Sequence, residues 1–400
     1  MQKIGSLTAT ADPQGEFTGG DPGQGQPATI VDPGWLNTLQ RELVALVEAG
    51  GLTLDGANDA QVLAAIQGIA ATAQQGLRNG LINGGFHIAQ RGNAFSNLDA
   101  ADGLTYTLDR WAFQADGSGG AGVGSVSRQA FGITPDVAGA SWFLRLVQGT
   151  AATVSRPRLR QVIEGLQDWS GRQVTLSFYA RTQVATQLEV GFAQKIGGVA
   201  ADVELGALAS TVNLTSDWQQ FSVTVDLPDP AFALQPGNGL AIEFRPLLGQ
   251  THTVELAQVQ IESGGAASAF EVRPLELERL LCERYYQQSY PDEVGAGALG
   301  YNVPAGAPLV APVIDDNPDM IRHDFGVQMR ATPTLRWFSP VTGAEGQVTR
   351  YSDPSTPYDF ALAGGASAAT PKTTGHPDLD FGAGGIEDVV YVHWTADAEL

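Results

Sequence analysis

Val174-Thr175-Leu176-Ser177-Phe178-Tyr179-Ala180 alternates apolar and polar side chains, and so does Val254-Glu255-Leu256-Ala257-Gln258-Val259-Gln260-Ile261. Alternation with period two marks a strand with one face in a core and the other in water. Leu188-Glu189-Val190-Gly191-Phe192, Phe221-Ser222-Val223-Thr224-Val225 and Leu240-Ala241-Ile242-Glu243-Phe244 repeat the pattern between these two stretches. Clusters of Gly, Asn, Asp and Pro separate them, and no amphipathic helix of crossover length intervenes. A parallel βαβ sheet is therefore disfavoured, and an antiparallel β-sandwich is expected.

Outward from this centre the texture changes. Residues 5 to 29 are rich in Gly, Pro, Thr and Gln and read as an extended arm. Asp32-Pro33 then supplies an N-cap with proline at the first helical position. Trp35, Leu36, Leu39, Leu43 and Leu46 follow at helical spacing, and Gly50-Gly51 closes the helix. Asn58 with Gln61 opens a second helix with Val62, Ile66, Ile69 and Ala73 on one stripe. Two stripes this short do not sustain an isolated coiled coil. They suit a helical hairpin packed on itself, copies meeting around a symmetry axis, or both.

Past the sandwich, residues 274 to 290 read as one helix running into Tyr285-Tyr286. A Gly/Ala/Pro-rich stretch leads to short β-like segments around Phe325-Val327, Thr334-Phe338 and Val389-Trp394. The expected organisation is mainly β: helical attachment module at 1–80, sandwich at 81–273, connecting helix at 274–294 and a smaller β-rich domain at 295–400.

Composition narrows the function. Acidic residues outnumber basic ones 43 to 22, for a net charge of −21. Such a surface repels phosphate backbones and anionic lipid, which argues against nucleic acid and membrane insertion. Charged residues are only 16% of the chain, while 49 glycines and 3 methionines suit sheets and turns. The single cysteine, Cys282, permits no intrachain disulfide framework. No secretion signal opens the sequence and no apolar run reaches membrane length, so a chain that stays soluble in the cytoplasm where it is made is expected.

Catalytic and cofactor patterns are missing. Gly117-Ser118-Gly119-Gly120-Ala121-Gly122 matches a dinucleotide fingerprint in letters, but β-like Val123-Gly124-Ser125-Val126-Ser127 follows where a helix is required, so a loop is expected. His87, His252, His323, His376 and His393 are scattered without metal-ligand spacing. Asp315-Asp316 with Asp319, Asp378 with Asp380, and Glu387-Asp388 read as solvated turns, not as a hydrolytic pair or a calcium loop. No cofactor, no metal and no enzymatic activity are expected.

A resemblance runs through much of the chain. Ala28-Thr29-Ile30-Val31, Trp35 to Leu43 and Glu48-Ala49-Gly50-Gly51 resemble the N-terminal module that seats phage tail fibres on the particle. Asn79-Gly80-Leu81-Ile82-Asn83-Gly84-Gly85-Phe86, Gln90-Arg91-Gly92 and Leu108-Asp109-Arg110-Trp111 are similar to the opening of the fibre sandwich domain. Gln258 to Gly264, Phe270-Glu271-Val272-Arg273-Pro274 and Cys282-Glu283-Arg284-Tyr285-Tyr286 resemble its close. Met329-Arg330-Ala331-Thr332-Pro333-Thr334 and Ala396-Asp397-Ala398-Glu399-Leu400 are similar to pieces of such fibres too.

The middle domain is similar to carbohydrate-binding jelly rolls. The resemblance implies a homotrimeric fibre or spike of a phage or phage-like gene transfer particle, assembled in the bacterial cytoplasm and carried on the virion surface. Its implied partners are host surface polysaccharide, other particle proteins and further copies of itself. A depolymerase spike and a purely structural adaptor that docks another fibre are the alternatives. Jelly rolls of this kind often hold a structural calcium with an aspartate in the last strand, where this chain has Gln258.

Sugar recognition needs an exposed aromatic face and hydrogen-bonding side chains. Trp111, Trp142, Trp169 and Trp218 lie in strand patterns and are assigned to packing. Trp337, Tyr351, Asp353, Tyr358, Asp359 and Trp394, in the loop-rich C-terminal region, are the candidate glycan-binding residues. Trp35, Leu36, Leu39, Leu43 and Leu46 are the candidates for particle attachment and oligomerisation.

Overall fold

The structure is a computed structural model that describes residues 2–73, 77–99, 103–116, 124–149, 156–184, 186–197, 202–246, 251–298, 309–312, 323–351, 357–361, 374–375 and 389–399. Two compact units divide the chain, Met1–Gly76 and Leu77–Leu400. The boundary expected at 294/295 falls inside the second unit.

In the first unit, Asp32 caps helix α1 (Pro33–Ala49) by accepting the Gly34 and Trp35 amides at 2.7 and 3.3 Å. Helix α2 (Gln61–Ala73) packs back on it where Gly50 meets Ala65. A β-carbon on Gly50 would lie 2.7 Å from Ala65, so only glycine permits this approach. Val47 and Ala65 are buried, and Leu39 and Leu46 are half-buried. Leu36 and Leu43 stay 49% and 42% exposed, and Leu63, Ile66 and Ile69 are exposed on α2. The arm expected to be extended instead folds on itself: the Gly5 amide reaches the Gly15 carbonyl at 3.2 Å, and Thr29 reaches Thr18 at 2.9 Å. Among the described residues no helix is long and apolar enough to cross a membrane.

The second unit is built from antiparallel strands. They are β1 (Ala94–Leu98), β2 (Thr105–Tyr106), β3 (Ala112–Asp116), β4 (Gly124–Ala130), β5 (Trp142–Gln148), β6 (Arg156–Glu164), β7 (Gln173–Thr182), β8 (Thr186–Lys195), β9 (Val203–Glu204), β10 (Ser210–Leu214), β11 (Gln219–Asp226), β12 (Gly239–Pro246) and β13 (Thr253–Ser263). One sheet runs β1-β4-β5-β13-β7-β11, and the other runs β10-β8-β12-β6-β3-β2, with β9 beside β8. Eight of these strands, taken in chain order from β5 to β13 without β9, fill the orders β5-β13-β7-β11 and β6-β12-β8-β10. That interleaving of two Greek keys is a jelly roll, so the expected sandwich has this topology.

Its core is the inward set of both sheets: Val174, Leu176 and Phe178 of β7, Val190 and Phe192 of β8, Ile242 and Phe244 of β12, and Leu256 and Ile261 of β13. Alternation in β13 slips phase once. The pairing to β7 shifts between Ala257 and Gln260, and Gln258 takes a left-handed φ of 47°. This bulge keeps Leu256 and Val259 both inward although three positions separate them, and it turns Gln258 outward.

Helix α3 spans Leu275–Glu283, shorter than the helix expected over 274–290, because Tyr286–Gln288 pairs as strand β14. The remaining strands are β15 (Leu309–Pro312), β16 (His323–Asp324), β17 (Thr334–Phe338), β18 (Gln347–Tyr351), β19 (Pro357–Ala361), β20 (Thr374–Gly375) and β21 (Val389–Asp397). The stretch around Phe325-Val327 is a bend. β21 is the spine of a third sheet, with β15 and β14 along one edge and β18 and β17 along the other. The loop at Gly117–Gly122 lies outside the described residues.

A buried ionic cluster joins this sheet to the sandwich. Arg110, 1% exposed, pairs with Glu399 and donates to the Val162 carbonyl at 2.6 Å. Its guanidinium lies 3.5 Å from the Tyr285 ring centre. Arg91 donates to Asp397 at 3.1 Å, approaches Glu399 at 3.4 Å and stacks 3.6 Å from the Tyr286 ring centre. Asp109 accepts from the Gln90 amide and side chain at 2.7 and 2.6 Å. Burial pushes the Asp109 and Glu399 carboxyls above the usual carboxylate range, with Arg91 and Arg110 pulling the other way. Four of the sequence stretches that carry the fibre resemblance thus converge on one junction.

Candidate functional site

The outward positions of the six-stranded sheet build a groove. Gln258 of β13, Tyr179 of β7 and Gln220 of β11 lie on adjacent strands and form its floor. Tyr179 is half-buried with its hydroxyl 3.5 Å from Gln220 Oε1, and Gln220 is exposed. The groove encloses about 440 Å³ between the β4–β5 loop, through Ala138 and Gly139, and the segment after β13, through Ala267–Phe270 and Val272. That volume is in the range of small-ligand pockets.

Both walls are fixed. Gln258 Nε2 donates to the Ala138 carbonyl at 2.9 Å. Behind it, Phe131, Phe143 and Trp218 pack ring on ring, with centroids 4.8 to 5.5 Å apart, over buried Val137, Ala140 and Ala257. On the other side Glu262 accepts from the Ser268 amide at 2.9 Å and hydroxyl at 2.7 Å. Glu271 N donates to Gln260 at 2.8 Å, while the Glu271 carboxylate accepts from the Asn79 amide at 2.8 Å. A groove held open this way does not have to order itself on binding.

The lining holds two aromatic side chains, Tyr179 and Phe270, the side-chain amides of Gln220 and Gln258, and the hydroxyls of Tyr179 and Ser268, and no Lys, Arg, His, Asp or Glu. Chemically it can stack an apolar ring face and exchange hydrogen bonds with hydroxyls. No formally charged side chain lines it.

The residues singled out from the sequence fall elsewhere. Trp337 and Trp394 are cross-strand partners only 2% and 4% exposed, packed with Leu335, Met329 and Val348 in the core of the third sheet. The expectation that they face solvent is corrected: both occupy inward parity, so neither presents a ring to a sugar. Tyr351 lies on β18, and Tyr358 and Asp359 on β19. Asp353 lies outside the described residues. Trp111 is buried in the sandwich core as assigned, whereas Trp142, Trp169 and Trp218 are only partly buried, Trp218 beside the groove.

Tyr179 and Gln220, and the place of Gln258 in a ligand groove, escaped the sequence reading. The available signal was parity, since Tyr179 is an aromatic on the polar phase of β7 with Thr175 and Ser177. In the first unit, Trp35 donates its Nε1 to the Gln2 carbonyl at 3.0 Å and stands edge-on to Phe17 at 5.1 Å, beside a cavity of about 550 Å³.

The calcium implied by the sequence resemblance does not suit these residues. The place is held by Gln258, whose Nε2 donates to the Ala138 carbonyl, and not by a carboxylate. Among the described residues no group of three His, Cys, Asp or Glu side chains is placed to hold a metal ion.

Fold and groove together define a jelly-roll protein with a neutral, preformed cleft on one sheet face. No protein-family model matches the chain. It is 37% identical over 73 residues to the Escherichia coli K12 protein StfP, itself described as uncharacterized; the match spans 17% of this chain and 35% of that protein. Among solved structures, the family 11 carbohydrate-binding module of Clostridium thermocellum is 14% identical, with 44% of this chain and 99% of the module covered and a TM-score of 0.27. The second xylan-binding family 22 module of Paenibacillus barcinonensis Xyn10C is 15% identical, with 42% and 99% covered and a TM-score of 0.28. The enzymatically active domain of bacteriophage CBA120 tailspike protein 4 is 15% identical, with 39% and 19% covered and a TM-score of 0.27. Likeness at this level says nothing of ligand or activity.

Proposed function

We propose that the chain is a glycan-binding fibre or spike protein of a phage or phage-like particle, and that its sandwich grips a neutral stretch of host surface polysaccharide. The observation that carries the reading is the groove over Tyr179, Gln220 and Gln258, with an aromatic face, amides and rigid walls but no Lys, Arg, His, Asp or Glu in its lining. A pyranose ring stacks its apolar face on an aromatic side chain and directs hydroxyls to amides. The assignment to a particle rests on the sequence resemblance to tail fibres. The exposed Leu36 and Leu43 of α1 suit a homotrimer, because apolar side chains left open in one copy are covered when copies meet. The cavity beside Trp35 suits contact with another particle protein.

The test is binding of fluorescently labelled protein to host cells with and without their surface polysaccharide. Binding to the coated cells alone, weakened about tenfold or more by Tyr179→Ala, is the expected result. Equal binding to both cell types would sink the reading. Release of reducing ends from purified polysaccharide would replace it with a depolymerase, and absence of any cell binding would leave a structural adaptor.

A further inference from the structure

A second groove lies between the sandwich and the third sheet, and its chemistry differs from the first. It encloses about 440 Å³ and is lined from the sandwich side by Phe95 and Tyr106 and from β17 by Thr334 and Arg336. Outward parity explains the β17 contribution: Thr334 and Arg336 alternate with the buried Leu335 and Trp337. Asp397 reaches the groove from β21, where it sits directly across from Thr334.

The charges here have unequal freedom. Arg91 is 9% exposed, stacked on Tyr286 and paired with Asp397 and Glu399, so it is part of the floor and already neutralised. Arg336 is 59% exposed, and its ion pair with Glu345 is long, at 3.7 Å, with both partners in water. Such a surface pair contributes at most about 1 kcal/mol, so an incoming anion can displace it. A guanidinium presents a planar fork that matches a carboxylate. Asp397 is 41% exposed and can accept hydroxyl protons, but it repels a second anion close by. Half-buried Phe95 supplies an apolar face.

We propose that this junction is a second ligand groove, which takes an acidic saccharide carrying one carboxylate per repeat. Arg336 reads the carboxylate, Asp397 and Thr334 read hydroxyls of the neighbouring neutral sugar, and Phe95 stacks against a ring. A polymer charged at every sugar is disfavoured because its second carboxylate would fall beside Asp397. The assignment stands apart from the sheet groove, which has no charge to read.

The experiment is isothermal titration of the full chain with a hyaluronan tetrasaccharide, in which glucuronate and N-acetylglucosamine alternate, against neutral chitotetraose, at low and high salt. The acidic probe is expected to bind at least tenfold tighter than the neutral one at low salt. Arg336→Gln should bring the two to parity and remove the salt dependence, while Tyr179→Ala, which alters only the neutral groove, should leave binding of the acidic probe and its salt dependence in place. The proposal is overturned if the wild type shows no acidic preference, if Arg336→Gln retains it, or if Tyr179→Ala abolishes it. Because Arg336 is exposed, an unchanged melting temperature will show that its substitution acts on the ligand and not on the fold.

Discussion

Replacing Arg110 with methionine keeps an unbranched side chain in this place but removes the guanidinium that stacks on Tyr285, and with it the positive charge from the middle of the junction. Glu399, with its side chain 3% exposed, would then share only Arg91 with Asp397, and Asp109 would lie close by. Removing one member of a buried ion pair costs about 3–5 kcal/mol, because the other charge is left without compensation in a poorly solvated place. The donor to Val162 is lost as well, which adds about 1 kcal/mol. In a unit of this size each kcal/mol lowers the melting temperature by about 1–2 °C, so the variant should melt about 4–12 °C below the wild type.

The sign of the pH dependence follows from Glu399. Burial holds its folded pKa above the unfolded value, and without Arg110 it must rise further. A carboxyl with a raised folded pKa takes up protons on folding in the window between its two values. Its contribution to stability is therefore complete below the unfolded pKa and lost as pH climbs through the folded one. The deficit of Arg110→Met should accordingly shrink on acidification from pH 8 to 5, and adding Glu399→Gln should recover most of it at pH 8. Differential scanning calorimetry of the three proteins decides the matter. A variant that melts within 1 °C of wild type, or a deficit that neither acid nor the second substitution relieves, would refute the reasoning.

Three further expectations are open to direct measurement. Leu36→Ser with Leu43→Ser removes apolar surface that is exposed in a single copy, so sedimentation should show loss of the oligomer with helix content unchanged; an unaltered sedimentation coefficient would count against assembly through α1. Burial, joined by the charge of Arg128 and opposed by Glu278, holds His87 below the usual histidine value, and burial does the same for His252. Their stabilising contribution is present above the unfolded pKa and falls away as pH drops through the folded values. His87→Gln with His252→Gln should therefore flatten the loss of stability between pH 7 and 5, by up to about 1.4 kcal/mol per pH unit per site, as read from urea melts. Cys282 is fully buried and its thiol is pushed well above the ordinary value by burial, so it should resist alkylation until the fold opens; rapid labelling in native buffer would contradict its placement.

Strand parity made the sandwich legible, because a sheet with one wet face prints its period directly into the sequence. The cap at Asp32-Pro33 and the stop at Gly50 were equally readable, since each satisfies a local backbone requirement. The phase slip in β13 was only half legible: two positions, Ala257 and Gln258, stand between Leu256 and Val259 where strict alternation allows one, but small Ala257 hides the break, and pairing with β7 shows the extra residue that turns Gln258 toward the groove. The misplaced tryptophans have a related cause. Trp337 and Trp394 sit in short strands separated by loops, and parity there has too few repeats to tell inside from outside until the two strands pair. The junction was half visible: Arg91, Asp109, Arg110, Tyr285, Tyr286 and Glu399 lay in stretches already singled out, but residues nearly three hundred positions apart reveal their common purpose only when they meet.

That junction also bears on how the proposed adhesion would work. A neutral groove that stacks one ring and exchanges a few hydrogen bonds with hydroxyls gives weak binding for a single sugar, because each hydrogen bond replaces one already made to water. Strength must then come from number, and linked sites raise avidity by about 10²–10⁴ only when the geometry lets them engage together. A flexible tether between the sandwich and the third sheet would scatter two grooves over many separations and dilute that gain. The buried pairs of Arg110 and Arg91 with Glu399 and Asp397, stacked on Tyr285 and Tyr286, hold the two sheet systems in one compact unit. A buried ionic cluster is a poor source of net stability compared with apolar packing, yet it is intolerant of misalignment, since any slip strands a charge. On the proposed reading its value to the protein is positional: it sets a fixed spacing between the neutral groove and the one at Arg336, so that a single polysaccharide strand can meet both in register.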